Sequence, residues 1–430
     1  MTSTLSVLAA FTIILIDLIG RAGLDKMLAI TGGPAMVALW AQLQSVVELV
    51  STVAIVGVLQ GLTVMIAQAG TLHDERGLLR ASLKLGLGTS LLIALLVVLA
   101  APALAAALSQ GKIETELFWL AALAGCITVI PATLNAYWLG KHQQQRMLWL
   151  AILACTNLLL VAVGAWLGLA LRELLWVQCL VQFIISCVVW RFFLRTLSRP
   201  EIKPHEVSLS HEAEYLRKLA RFVPVGLAIG IMSPISMLLI RGILSGTLTW
   251  EDVGLMQALW RSTEWVTATA VGVLTLIFLP RFSALYGSAQ FKKEMLRAGA
   301  LLLLPAAALL LLIYFNQRAM LATLYDARFL VSNQTAALFL LGSWLRIASW
   351  LFLFGLFAAH RTRLIVAGEV LSLPLFALLL WLYADGMSLE RCALLYLFSY
   401  LVYLAFNVVA LLSSSPNSPT IHHLQKMPGV

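Results

Sequence analysis

The 430-residue sequence predicts an all-α polytopic membrane protein, with twelve transmembrane helices in two six-helix lobes around a central cleft. Composition is the first reason: 61% of residues are hydrophobic, 11% are charged, and the mean hydropathy is +0.93. A soluble domain is about 45–50% apolar and about 25% charged, so a soluble enzyme is excluded. The second reason is the form of the apolar runs. They are continuous over the ~20 residues a membrane helix needs, not alternating over ~10 as in a membrane barrel. The third reason is length, since at about 36 residues per span and loop the chain holds about twelve spans and little else.

In chain order the spans fall at 5–28, 35–66, 78–104, 116–140, 147–168, 173–195, 218–243, 251–281, 294–316, 333–358, 364–384 and 390–412. The first is read as a span, not a signal peptide. No Lys or Arg precedes Arg21, and Asp17 and Arg21 interrupt the apolar stretch. The longest connection carries the helix-breaking Pro200 and Pro204, then an amphipathic stretch from Leu209 to Phe222. Leu209, Ala213, Leu216 and Ala220 share one face of it, as in a basic helix lying on the inner leaflet. This connection divides the chain into an N-terminal lobe (1–195), a cytoplasmic linker (196–217), a C-terminal lobe (218–412) and a cytoplasmic tail (413–430).

The net charge of +9 is read as membrane orientation, not as a nucleic-acid surface. With both termini cytoplasmic, nineteen of the 29 Lys and Arg fall on the cytoplasmic side and seven on the other, Lys26, Arg241 and Arg328 among the seven. The seven histidines sit in separate cytoplasmic loops or the tail, so neither a metal site nor a cofactor is expected. The five cysteines lie in apolar runs without CxxC spacing and read as small core residues.

An internal repeat crosses the linker. Val37-Ala38-Leu39 at the start of span 2 corresponds to Val253-Gly254-Leu255 at the start of span 8, 216 residues on. The same offset maps Glu48 onto Glu264 and Asp25 onto Arg241. Val56-Gly57-Val58-Leu59 recurs as Val271-Gly272-Val273-Leu274 with a one-residue slip. Both copies run in the same direction, a parallel repeat about an axis along the membrane normal.

A charge at mid-bilayer costs roughly 2.5–3.5 kcal/mol, so ionisable residues inside spans are candidates for function. Asp17, Arg21 and Asp25 share one face of span 1, as an ion-pair ladder, a face lining a wet cavity, or both. Span 2 carries Gln42, Gln44, Glu48 and Ser51; span 8 carries Gln257, Arg261 and Glu264; span 10 carries Ser343, Arg346 and Ser349. Glu369, about one turn inside span 11, either snorkels to the surface or serves the cleft. Asn135 and Asn157 read as hydrogen-bonding links between helices. Arg21, Arg261 and Arg346 suit an anionic substrate, because a guanidinium meets phosphate oxygens in a fork. With Gln42, Gln44, Gln257 and Trp40 they are the candidate substrate-binding residues. Asp17, Asp25, Glu48 and Glu264 are the candidate ion-coupling residues, since desolvation favours a protonated carboxyl. Trp40, Trp260, Trp265, Trp344 and Trp350 lie near these stripes and either stack on sugar rings or pack helices. There is no Walker A sequence and no large loop with paired carboxylates, so no enzyme is expected.

Two blocks are familiar. Lys26-Met27-Leu28-Ala29 through Gly33-Pro34-Ala35, then Gln42-Leu43 and Ala67-Gln68, form one. Trp250-Glu251-Asp252-Val253-Gly254-Leu255-Met256-Gln257 and Phe278-Leu279-Pro280-Arg281-Phe282 form the other. On these blocks the chain resembles the Wzx-type polysaccharide flippases of the multidrug/oligosaccharidyl-lipid/polysaccharide exporter superfamily. The second block is nearest the lipid III (enterobacterial common antigen) flippase branch; Asp17 departs from that branch, which tends to have a basic residue there. The resemblance implies ion-coupled, alternating-access transport of an undecaprenyl-diphosphate-linked oligosaccharide. The direction implied is from the cytoplasmic to the periplasmic leaflet of the bacterial inner membrane. The product would feed surface polysaccharide assembly, such as O-antigen, enterobacterial common antigen or lipopolysaccharide. The partners implied are membrane lipids, a polysaccharide polymerase and a chain-length regulator. Three alternatives stand beside it, one of them a non-transporting scaffold, which would have no need of charge stripes inside the spans. A drug antiporter of the same superfamily would want an acid-rich cleft, against which three intramembrane arginines argue. A membrane-embedded glycan polymerase or ligase would want a large periplasmic loop, which this sequence lacks.

Overall fold

The computed structural model describes residues 2–69, 71–197, 209–220, 223 and 230–413. Among these residues there is no strand. A backbone in hydrocarbon must satisfy its hydrogen bonds within the segment, so apolar runs of this length become helices. The N-terminal elements are α1 (Thr2–Val53), the π-helical segment π1 (Ala54–Leu59), α2 (Gln60–Gln68), α3 (Leu72–Ser109), α4 (Thr115–Gly140), α5 (Gln144–Trp166) and α6 (Leu171–Leu197). After them come α7 (Leu209–Ala220), α8 (Met232–Thr247), α9 (Trp250–Val273), the π-helical segment π2 (Leu274–Phe278) and α10 (Leu279–Leu285). The last are α11 (Ala289–Leu324), α12 (Asn333–Ala358), α13 (Thr362–Val370), α14 (Leu373–Leu382) and α15 (Leu389–Ser413).

Nine helices among the described residues are long and apolar enough to cross a membrane. Expected spans 1, 2 and 7 are not among them, so the count of twelve remains a sequence expectation. Spans 1 and 2 are continuous in α1, where a bend at Gly33 (φ 70, ψ −166) replaces the expected connection. Span 7 falls partly on residues outside the described ones, as do most of the 196–217 linker and the tail beyond Ser413.

The bend in α1 has a local chemistry. Pro34 has no N–H to return to the carbonyl one turn back, that of Ile30. Arg328, in the turn after α11, donates to the Ala29 and Ile30 carbonyls at 2.8 and 3.1 Å. Lys26 donates to the Tyr325 carbonyl at 2.6 Å. Capping elsewhere is conventional: Thr71 and Ser332 accept from the third residue of α3 and α12.

The chain forms two compact units. The first comprises Met1–Ala258, Leu321–Leu330 and Tyr383–Met387; the second comprises Leu259–Met320, Val331–Leu382 and Ser388–Val430. In the first unit Leu62, Leu79, Leu134 and Trp138 make a buried core, and Leu219 of α7 belongs to it. Tyr215 and Leu216 pack against the same core, whereas Ala213 and Ala220, on the face expected to meet the leaflet, are exposed. Tyr215 lies over Gly77, where an added Cβ would sit 2.5 Å from the ring. Its hydroxyl donates to Asp74 at 2.5 Å. Burial, and then the Asp74 carboxylate, push the Tyr215 hydroxyl up to about 12. In the second unit Phe278, Phe282, Leu302, Ile347 and Leu351 form the core.

The repeat has a structural counterpart. π1 contains the Val56–Leu59 copy, and π2 begins at Leu274, the last residue of the other copy. Within the first unit the starts of the two equivalent helices also meet. A Cβ at Gly254 would lie 2.0 Å from the Pro34 carbonyl oxygen, so only glycine fits. The five cysteines are free thiols; Cys187 is exposed, not a core residue as expected.

Candidate functional site

In the second unit, Arg346 of α12 stands among aromatic faces. Its guanidinium carbon is 4.6 Å from the ring centre of Trp350, 5.4 Å from that of Trp260 and 5.8 Å from that of Tyr400. An aromatic face attracts a cation through its quadrupole, more strongly when the pair is desolvated. The cage is itself braced: Trp260 meets Tyr396 edge-on at 5.3 Å, and Tyr396 stacks on Phe339 at 4.4 Å. No carboxylate among the described residues forms an ion pair with Arg346. Arg261 and Glu264, one helical turn apart on α9, pair at 2.7 Å and remain partly exposed. Glu369 of α13 accepts a hydrogen bond from the Tyr403 hydroxyl at 3.0 Å. The tyrosines of α15 were missed by sequence reasoning. Their signal was available, because Tyr396, Tyr400, Tyr403 and Asn407 repeat at helical spacing in a run that is apolar apart from them and Ser399, and all four are buried.

In the first unit the candidates fall into separate groups. Asp17 and Arg21 pair at 2.9 Å, each side chain nearly half exposed. Asp25 and Trp40 are buried. Gln44 exchanges hydrogen bonds with Gln178 of α6 at 2.9 and 3.1 Å. Gln42 is fully buried and donates to the Leu238 carbonyl at 3.1 Å. Gln257 accepts from Arg241 Nε and Nη2 at 3.1 and 2.9 Å, and Arg241 also donates to Ser45 at 2.8 Å. The sequence places Arg241 in an outer connection, but α8 runs on to Thr247 and holds it buried inside the unit. Glu48, expected to be buried, is exposed. The inward face of α1 at this level is Leu43, Val46, Val47 and Val50, and Glu48 lies off it.

No family model matches the chain. The chain is 24% identical over 401 residues to the lipid III flippases of Escherichia coli (strain K12) and Shigella flexneri, covering 88% of this chain and 90% of each relative. Among solved structures it is similar to the inward-facing conformation of a multidrug resistance MATE family transporter of the MOP superfamily. That match has a TM-score of 0.69 at 12% identity, over 95% of this chain and 96% of that one. It is also similar to the inward closed conformation of the lipid II flippase MurJ, with a TM-score of 0.62 at 13% identity over 99% and 94% of the two chains. The chain thus has the two-lobed helical fold of MOP-superfamily transporters and is similar in sequence, over most of its length, to lipid III flippases.

Proposed function

We propose that this protein moves an undecaprenyl-diphosphate-linked oligosaccharide from the cytoplasmic to the periplasmic leaflet of the bacterial inner membrane. It does so by alternating access, for assembly of a surface polysaccharide of the enterobacterial common antigen, O-antigen or lipopolysaccharide kind. Both termini are cytoplasmic, and residues 1–195 and 218–412 act as the two functional halves. Its partners are membrane lipids, a glycan polymerase and a chain-length regulator. The observation that carries this reading is Arg346, a guanidinium inside a membrane helix with aromatic faces around it and no ion-pair partner among the described residues. Such a group is costly in hydrocarbon unless an anion completes it. A diphosphate does so with two parallel hydrogen bonds, and the neighbouring ring faces suit a pyranose. Arg261 is a further diphosphate contact in this reading, and Glu48 couples transport to protons.

A second reading, a drug antiporter, is favoured by the fold shared with multidrug transporters. A cationic drug would be repelled by Arg346, which makes this the weaker reading. The test is glycan export in cells that depend on this protein. Arg346→Ala should abolish export at wild-type abundance and Arg346→Lys should restore part of it, since a point charge lacks the fork. Normal export by Arg346→Ala would overturn the diphosphate reading.

A further inference from the structure

We infer that Glu369 is a proton site linked to anion binding at Arg346 through Tyr400 and Tyr403, so that an anion on Arg346 drives proton uptake at Glu369. This inference rests on the anion reading above. Glu369 lies two turns into α13, ~10 Å along the helix from Thr362, and its carboxylate is held from α15 by Tyr403. That bond fixes it inward and removes the snorkelling alternative. The helix breaks immediately afterwards: α13 ends at Val370 and α14 begins at Leu373, within one continuous apolar span. Interrupted membrane helices are where coupling ions are handled, because polar groups there face protein, not lipid.

Two observations point to a proton. The first is a chain of contacts between two opposite charges that do not pair directly. Arg346 lies over Tyr400, Tyr400 meets Tyr403 edge-on at 6.1 Å, and Tyr403 donates to Glu369. The titratable and charged groups facing Glu369 are Tyr403 and Tyr400 of α15 and Arg346 of α12; Glu264 of α9 acts on Arg346 in turn. With the site empty, cation and carboxylate balance one another. An anion that neutralises Arg346 leaves the carboxylate uncompensated, and a proton restores the balance. The second observation is Asn407, fully buried, whose Oδ1 accepts no hydrogen bond among the described residues and lies 3.0 Å from where a Cβ on Gly368, the residue before Glu369, would sit. A carboxyl O–H is a donor of the kind this oxygen lacks.

The test uses the full-length protein in nanodiscs and polyprenyl-diphosphate-linked N-acetylglucosamine as probe, whose diester phosphates keep a fixed charge between pH 5 and 8. If binding takes up one proton, wild-type affinity should rise by up to about tenfold per unit fall in pH. Glu369→Gln should bind with an affinity independent of pH. Tyr403→Phe keeps the carboxyl and should keep the dependence, with its midpoint displaced from the wild-type one. A Glu369→Gln protein with the wild-type pH dependence, or a Tyr403→Phe protein with an unmoved midpoint, overturns the inference. Wild-type binding that is independent of pH also overturns it and leaves the anion reading standing. Absence of wild-type binding at every pH overturns the anion reading, and this inference with it.

Discussion

Arg328 supplies Ile30 with the hydrogen bond that Pro34 withholds, donating to its carbonyl at 3.1 Å across 298 residues of sequence. The same Nη2 reaches the Ala29 carbonyl. One side chain thus satisfies both acceptors opened by the bend at Gly33. It ties the turn after α11 to the middle of α1, both inside the first unit.

Arg328→Ala should therefore lower stability by about 1 kcal/mol, the usual cost of acceptors left to water at a half-exposed site. Asp326 orients the guanidinium, accepting from Arg328 Nε at 2.6 Å. The Arg328 hydrogen bond and charge hold its carboxyl below the usual carboxylate range. A depressed carboxyl contributes stability above its unfolded value and loses it as pH falls through the folded one. The melting gap between wild type and Arg328→Ala should accordingly narrow between pH 7 and pH 3. An equal gap at both would show that Asp326 does not orient Arg328.

Gly254→Ala should be among the most damaging small substitutions in the first unit. The new methyl would meet a backbone oxygen, which cannot rotate away as a side chain would. Overpacking of this kind costs about 1–3 kcal/mol. Thermal melting of the purified variant measures it, and an unchanged melting temperature would mean that the two helix starts are not in tight contact.

Nine of the expected spans were legible, because their apolar runs are long and the alternative structures in lipid are few. The bend at Gly33 was less legible: Pro34 reads as an interruption, yet one residue at positive φ is enough to let the helix resume at once. The polar groups were harder still. Spacing along one helix reports that helix's own faces, which is how Arg261–Glu264 and Asp17–Arg21 could be read. Arg241 to Ser45 spans 196 residues, Gln44 to Gln178 spans 134 and Tyr403 to Glu369 spans 34. Nothing in local periodicity encodes those pairings, so Gln42, Gln44 and Gln257 read as open stripe residues although their amides are engaged inside the first unit.

Alkaline pH should loosen α7 through Tyr215. Its hydroxyl is pushed up to about 12 by burial and by Asp74. An acid whose folded value is raised contributes stability that is fully present below the unfolded value, about 10 for tyrosine, and lost as pH rises toward the folded one. Between pH 9 and pH 11 the wild type should thus lose more melting temperature than Tyr215→Phe. Equal losses would locate the alkaline sensitivity elsewhere.

Glu48 and Glu264 occupy equivalent places in the repeat and should respond in opposite ways to the same substitution. Glu264 balances Arg261 at 2.7 Å, with the arginine side chain 17% exposed. Glu264→Gln keeps the shape but not the charge, and should cost about 1–3 kcal/mol at a partly buried pair. Glu48 is exposed, its carboxylate makes no ion pair among the described residues, and Glu48→Gln should change stability by no more than about 0.5 kcal/mol. If Glu48 is also a coupling residue, its Gln variant, fixed in a protonated-like form, should stop glycan export at full abundance. Glu264→Gln should instead reduce export only as far as it reduces folded protein. Melting temperature, abundance and export measured together separate the cases. Full export by Glu48→Gln with an unchanged response to a collapsed proton gradient would remove Glu48 from the transport cycle. A Glu264→Gln protein as stable as wild type would show that Arg261 does not depend on its neighbour for charge balance.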